Sequence, residues 1–159
     1  MRSLFRGVIA GVAGTGAMTA YQLAVAKLQG RPLSTPVPHR WADAPAPAQV
    51  AKKIADALGQ GTRLTREDVP LLTNAMHWLY GSSWGALYGV AAGKARPDPV
   101  AGGLALGGAV WGTGYAELVP LGIYKPPWSY PPKVLALDLS YHLVYGLAVA
   151  IAYAALDPP

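Results

Sequence analysis

Charged side chains punctuate this chain and leave long apolar windows between them. No Asp, Glu, Lys or Arg occurs from 7 to 26, from 69 to 93, from 99 to 116 or from 139 to 156. Roughly 20 apolar residues at about 1.5 Å rise each cover a hydrocarbon core of about 30 Å, so each window is near the length a bilayer crossing requires. The pattern predicts four transmembrane helices over about 5–28, 68–93, 99–123 and 133–156, joined by an extramembrane strap over 29–67, all in one domain spanning 1–159.

The strap opens with Pro32, Pro36, Pro38, Pro45 and Pro47, a density that prevents regular helix. Beyond it Val50, Ala51, Ile54, Ala55 and Leu58 recur at helical spacing, while Lys52, Lys53 and Asp56 fall elsewhere. This predicts a short amphipathic helix on the membrane surface that ends at Gly59. Thr65 followed three residues later by Asp68 marks the start of the next helix. The connection from Tyr124 to Pro132 combines interfacial aromatics with rigid prolines, and is expected to cap one end of the helices.

One sentence is written twice: His77-x-x-Tyr80-Gly81 leading to Tyr88, and His142-x-x-Tyr145-Gly146 leading to Tyr153 at the same spacing. The first and third spans also correspond, with Gly7, Gly11, Gly14, Met18 and Tyr21 set against Gly103, Gly107, Val110, Gly114 and Glu117. Each half therefore reads as a glycine-faced helix followed by a histidine-faced helix. The fold class is an all-α integral membrane four-helix bundle built from two parallel two-helix repeats, related by an axis along the membrane normal. Gly7-x-x-x-Gly11 and Gly103-x-x-x-Gly107 are the small-residue pattern that lets helix backbones approach closely in lipid.

Helical register then groups the polar residues. Asn74, His77, Gly81, Trp84 and Tyr88 share one face of the second span, and Asp138, His142, Tyr145, Val149 and Tyr153 one face of the fourth. Counting along the spans puts His77, His142, Tyr21 and Glu117 in a single layer, roughly 10 to 12 Å inside the strap-side boundary. Asn74 and Asp138 are expected about one turn nearer that surface, with Asp138 and His142 spaced to touch. Ionisable residues inside a membrane are expensive and face the interior or a wet cavity. The layer of His77, Glu117, Asp138, His142, Asn74, Tyr21, Tyr80 and Tyr145 is thus the candidate site, suited to relaying a proton or small cation or to binding a ligand. The competing readings are hydrogen-bonded glue between helices, and ligation of a transition metal or haem by His77 and His142. No cofactor is required by the sequence; the remaining histidine, His39, lies in the strap.

Composition narrows these readings. Charged residues make up 13% of the chain, against about 25% in soluble domains, and hydrophobic residues 52%. There is no cysteine, which excludes disulfides and thiolate metal sites. The net charge of +5 resides in connections between spans and fits anionic lipid rather than nucleic acid. Ser82, Ser83 and Ser140 lack the setting of a nucleophile, and the glycine-rich stretches lack a preceding strand or a phosphate-binding lysine, so no catalytic residue is assigned. The first span has the flanking Arg2 and Arg6 of a signal peptide, with Ala24-Val25-Ala26 as a cleavage-like triplet, but is expected to be retained. The expected partners are the lipid bilayer and either further copies of the chain or the other subunits of a membrane complex.

The run His77-Trp-Leu-Tyr80-Gly81-Ser-Ser-Trp84-Gly85-Ala-Leu-Tyr88-Gly89, with Ala109-Val-Trp111, Pro120-Leu-Gly122 and Asp138-Leu-Ser-Tyr141-His142, resembles the YagU-like family of small bacterial inner-membrane proteins. The likeness covers about residues 4 to 155. It implies a four-span inner-membrane protein, a location and a pattern rather than a reaction. Members of that family tend to carry a charged residue in the first span, whereas this chain has none between Arg6 and Lys27.

Basic residues are more numerous on the strap side (Lys27, Arg31, Arg40, Lys52, Lys53, Arg63, Arg66, Lys125, Lys133) than on the other (Arg2, Arg6, Lys94, Arg96). The positive-inside rule then sets the strap in the cytoplasm and both termini outside.

Overall fold

The structure is a computed structural model and describes residues 1–157. Within them the chain is all-α: α1 (Arg2–Leu28), α2 (Ala46–Ala57), α3 (Val69–Ala95), α4 (Pro99–Leu118) and α5 (Pro132–Leu156), with short 3-10 turns in the connections and no strand. Residues 158 and 159, the end of the expected domain, lie outside the described residues. By length and composition two helices, α1 and α5, are apolar enough to cross a membrane. In α3 and α4 the glycines, threonines, serines and aromatics dilute the aliphatic content.

The long helices are placed by glycine contacts. A Cβ on Gly11 would stand 2.7 Å from the Gly81 carbonyl oxygen and 2.9 Å from Ser82 Cα, so α1 and α3 touch backbone to backbone. A Cβ on Gly103 would likewise stand 2.9 Å from the Gly146 carbonyl oxygen and 2.8 Å from Leu147 Cα, joining α4 to α5. These equivalent contacts pair Gly11 with Gly103, one turn away from the correspondence of Gly7 with Gly103 expected from sequence. This pairing sets Gly81 against Gly146, as the twice-written motif does. The shift has a simple cause: Gly7, Gly11 and Gly14 recur at helical-turn spacing along α1, so sequence alone leaves a one-turn slip unresolved.

α1 packs on both α3 and α5, and α5 on both α1 and α4, whereas α3 and α4 touch little. Ala10, Met18, Leu106, Val110, Tyr145, Val149 and Tyr153 form the core between them. At the end remote from the strap, Arg6 of α1 pairs with Asp157, just beyond α5. Outward-facing surfaces carry large apolar side chains on every long helix: Phe5 and Ile9 on α1, Leu79 and Leu87 on α3, Leu104 on α4, Ile151 on α5.

Three connections differ in detail from expectation. α4 ends at Leu118 rather than near 123, because Gly122 takes φ +67° and the Ile123 and Tyr124 amides both bond the Leu118 carbonyl. The strap helix α2 ends at Ala57 with Gly59 at φ +70°, as the glycine predicts, but its apolar residues divide between two faces. Ala48 is buried with Ala44 against Val69 at the start of α3, while Ile54 and Leu58 point away. The Thr65–Asp68 start is a reciprocal cap: the Thr65 amide donates to Asp68 Oδ2 at 2.8 Å, and the Asp68 amide donates back to the Thr65 side chain.

Candidate functional site

Each seam between neighbouring long helices holds at least one polar contact in the strap-side half. Between α1 and α3, Thr19 Oγ1 and His77 Nε2 lie 3.3 Å apart. Between α1 and α5, the Tyr21 and Ser140 hydroxyls lie 3.5 Å apart, and Tyr21 meets Tyr141 edge to face. Between α4 and α5, Trp111 Nε1 donates to Asp138 Oδ2 at 2.9 Å, joined by the Tyr115 hydroxyl at 3.4 Å. Between α3 and α4, the Tyr80 hydroxyl donates to Glu117 Oε2 at 3.2 Å. Thr19 and Tyr21 are two residues apart on α1, as are Ser140 and His142 on α5, roughly 3 Å of rise in each case. His77 and His142 therefore stand at a common level, on helices α3 and α5 that touch each other little.

Hydrogen-bond accounting assigns the histidine tautomers. The single hydroxyl proton of Thr19 goes to the Thr15 carbonyl at 2.8 Å, so Thr19 can only accept from His77, whose Nε2 must bear hydrogen. His142 Nδ1 lies 2.8 Å from the Asp138 carbonyl, which only accepts, so Nδ1 bears hydrogen there. Each neutral imidazole thus keeps one ring nitrogen, His77 Nδ1 and His142 Nε2, with its lone pair uncommitted among the described residues. The Asp138 carboxylate is held by neutral donors, and its nearest basic group is His142 Nδ1 at 3.9 Å from Oδ1. One turn strap-ward of His77, the Thr73 hydroxyl is buried without a protein partner.

Several expected members sit elsewhere. Asn74 is exposed and accepts from Trp78 Nε1 on its own helix at 3.2 Å, away from the layer. Glu117 is exposed in the last turn of α4 instead of lying well inside a longer span, because α4 stops at Leu118. Tyr145 points across to α3, donating to the Gly81 carbonyl at 2.6 Å, and is not bonded to either histidine. The Asp138–His142 contact runs through the Asp138 main-chain carbonyl rather than its carboxylate. Among the described residues no three His, Asp or Glu side chains group as metal ligands, and the two uncommitted ring nitrogens belong to separate hydrogen-bonded seams.

Thr19, Thr73, Trp111 and Tyr115 join the site without being expected there. For Tyr115 and Trp111 the sequence does hold a signal: both fall on one face of α4, at the spacing that faces a helix neighbour. The connection after α4 closes over them, with Tyr124 and Tyr130 packing on Tyr115 at ring-centre distances of 5.4 and 6.1 Å. Burial first, then the Asp138 carboxylate, push the Tyr124 phenol up to about 12. Below the layer, towards the Arg6–Asp157 end, Leu106, Val149 and Ala10 fill the interior with aliphatic side chains. Beyond them a shallow cavity of about 140 Å³ is lined by Tyr88, Tyr153, Arg96 and Asp157 among others.

Comparison with known protein families, curated proteins and solved structures finds no match to this chain.

Proposed function

We propose that the chain is a four-span protein of the bacterial inner membrane, a four-helix bundle of two parallel two-helix repeats, that senses or passes a proton or small cation at the layer of His77, Asp138 and His142, with Glu117 standing apart at the exposed end of α4. The membrane reading is supported by the large apolar residues facing outward on every long helix, surface that a water-soluble chain would not display all round. The repeat is supported by the matched backbone contacts of Gly11 on α3 and Gly103 on α5. Kinship with the YagU-like family rests on the residues quoted for it, and agrees with this reading of location. The excess of basic residues around the strap favours a cytoplasmic strap with both termini outside.

The observation that carries the function is the pair of uncommitted imidazole nitrogens at one level beside a carboxylate that has no Lys or Arg partner. A carboxylate in such surroundings is stabilised by taking up a proton itself, by a protonated imidazole or by a mobile cation. The buried Thr73 hydroxyl without a protein partner suits a water or ion one turn strap-ward of the histidines. The aliphatic filling beneath the layer favours binding from the strap side; passage to the far side would require the core to open. Proton uptake by the purified protein, measured with a pH-sensitive dye, tests this. Asp138→Asn and His142→Ala should each remove uptake seen in the parent chain, and a parent chain whose uptake both variants leave intact would overturn the proposal.

A second reading, a structural subunit of a larger membrane complex or a homo-oligomer, is favoured by α4. There Gly108 and Gly112 face open space, where an added Cβ would meet no atom within 4 Å, beside the exposed Ala101 and Ala105. Cross-linking in native membranes separates the two. If His77→Ala and His142→Ala change only the melting temperature, the histidines act as glue.

A further inference from the structure

The strap helix α2 has an apolar face too many for a helix that only packs against its own chain. Its inner side is committed: Ala44 and Ala48 bury Val69 with help from Trp41 and Leu72. At about 100° per residue, Val50, Ile54, Ala57 and Leu58 lie on the opposite side. Ile54 is 50% exposed and Leu58 70%. Val50 is partly covered, whereas nothing in the described residues covers Ile54, Ala57 and Leu58.

Charge identifies the occupant. On α2, Lys52 is neutralised by Asp56, but Lys53, on the flank of the apolar stripe, has no carboxylate partner among the described residues. The same holds for Lys27 and Arg31 at the end of α1 and for Arg63 after α2, whereas the strap's Arg40 is paired with Asp43. Free cations beside an unpartnered aliphatic stripe are what a negatively charged lipid surface recognises: the aliphatic residues enter the acyl boundary and the lysine stem lies along it with its ammonium among phosphates.

We propose that α2 docks through Ile54 and Leu58 into the headgroup region of an anionic leaflet, with Lys53 selecting acidic phospholipid. This rests on the membrane reading and adds to it a lipid class and a docking face. Because α2 is seated on Val69, docking also fixes the start of α3, the helix that bears His77.

The absence of cysteine makes the test direct. The full chain with Ala57→Cys, labelled with an environment-sensitive fluorophore, is placed in nanodiscs of phosphatidylcholine alone or mixed with phosphatidylglycerol. The expected result is a blue shift and quenching by brominated lipid that grow with phosphatidylglycerol. The added Lys53→Gln should reduce that growth about fivefold, and Ile54→Glu with Leu58→Glu should abolish it. Equal spectra in both lipids, or a water-like spectrum in both, overturn the docking while a Val12→Cys probe on outward-facing α1 still reports lipid. A water-like Val12→Cys probe would instead bring down the membrane reading, and the docking with it.

Discussion

The phenol of Tyr145 donates to the Gly81 carbonyl at 2.6 Å, so a tyrosine of the second histidine helix closes on the glycine of the first. Its twin in the repeated sentence, Tyr80, turns instead to Glu117 at the half-exposed edge between α3 and α4. One sequence motif thus serves two physical roles, because α1 packs tightly on α5 whereas α4 stands off from α3.

Removing the two hydroxyls should therefore have unequal effects. Tyr145 is 2% exposed, and Tyr145→Phe should cost about 1 kcal/mol, the usual net value of a buried hydrogen bond. Tyr80→Phe should fall within about 0.5 kcal/mol of the parent, as exposed substitutions do. Reversible unfolding in mixed micelles measures both; equal losses would mean that the two seams are equally tight.

Glycines of the same helices should also divide. Gly11→Val sets side-chain atoms against the backbone of α3 at Gly81 and Ser82, which cannot move aside as a side chain would. Overpacking of this kind costs about 1–3 kcal/mol. Gly108→Ala meets no atom and reduces the backbone freedom lost on folding, so it should be neutral or stabilising by up to about 1 kcal/mol. Midpoints of thermal unfolding for the two variants should move in opposite directions or, at the least, only Gly11→Val should fall.

What the sequence reveals and conceals follows from the range of the interactions concerned. The end of α2 and the start of α3 are legible because Gly59 and the Thr65–Asp68 cap act within one turn of chain. The proximity of Asp138 and His142 is legible for the same reason, being an i,i+4 pair on one helix. The end of α4 is misplaced when the span is carried past Glu117 to about 123; the charge at Glu117 and the turn signal of Pro120 and Gly122 both mark it, and they agree with the end of the uncharged window at 116. Thr19 as partner of His77 is not legible at all. Which hydroxyl faces an imidazole on another helix depends on the packing register, and glycines spaced every turn leave that register open until backbones are in contact.

The ion pair between Arg6 and Asp157 joins the two ends of the helical bundle's chain path, and Asp157 also accepts weakly from the Tyr153 hydroxyl at 3.4 Å. Both charged side chains keep contact with solvent, 34% and 21% exposed. Asp157→Asn should then cost no more than about 1 kcal/mol, and the loss should shrink as salt rises. A double-mutant cycle with Arg6→Gln at low and high salt measures the pair itself. A coupling that does not respond to salt would mean that the pair is sealed from water.

The phenol of Tyr124 supplies a pH dependence whose sign can be worked out. Its folded value lies at about 12, raised from the usual 10 by burial and by the Asp138 carboxylate. The folded chain therefore holds this proton more tightly than the unfolded chain. The protonated phenol's contribution to stability is fully present below pH 10, and is lost as pH rises from 10 towards 12, where the unfolded chain ionises first. Tyr124→Phe has no proton to lose, so its unfolding midpoint should fall less than the parent's between about pH 9 and pH 11.5, although other tyrosines and lysines titrate in both. The difference between the two curves isolates this residue. Parallel curves would mean that Tyr124 is open to water and far from Asp138, and that the connection after α4 does not close over the carboxylate.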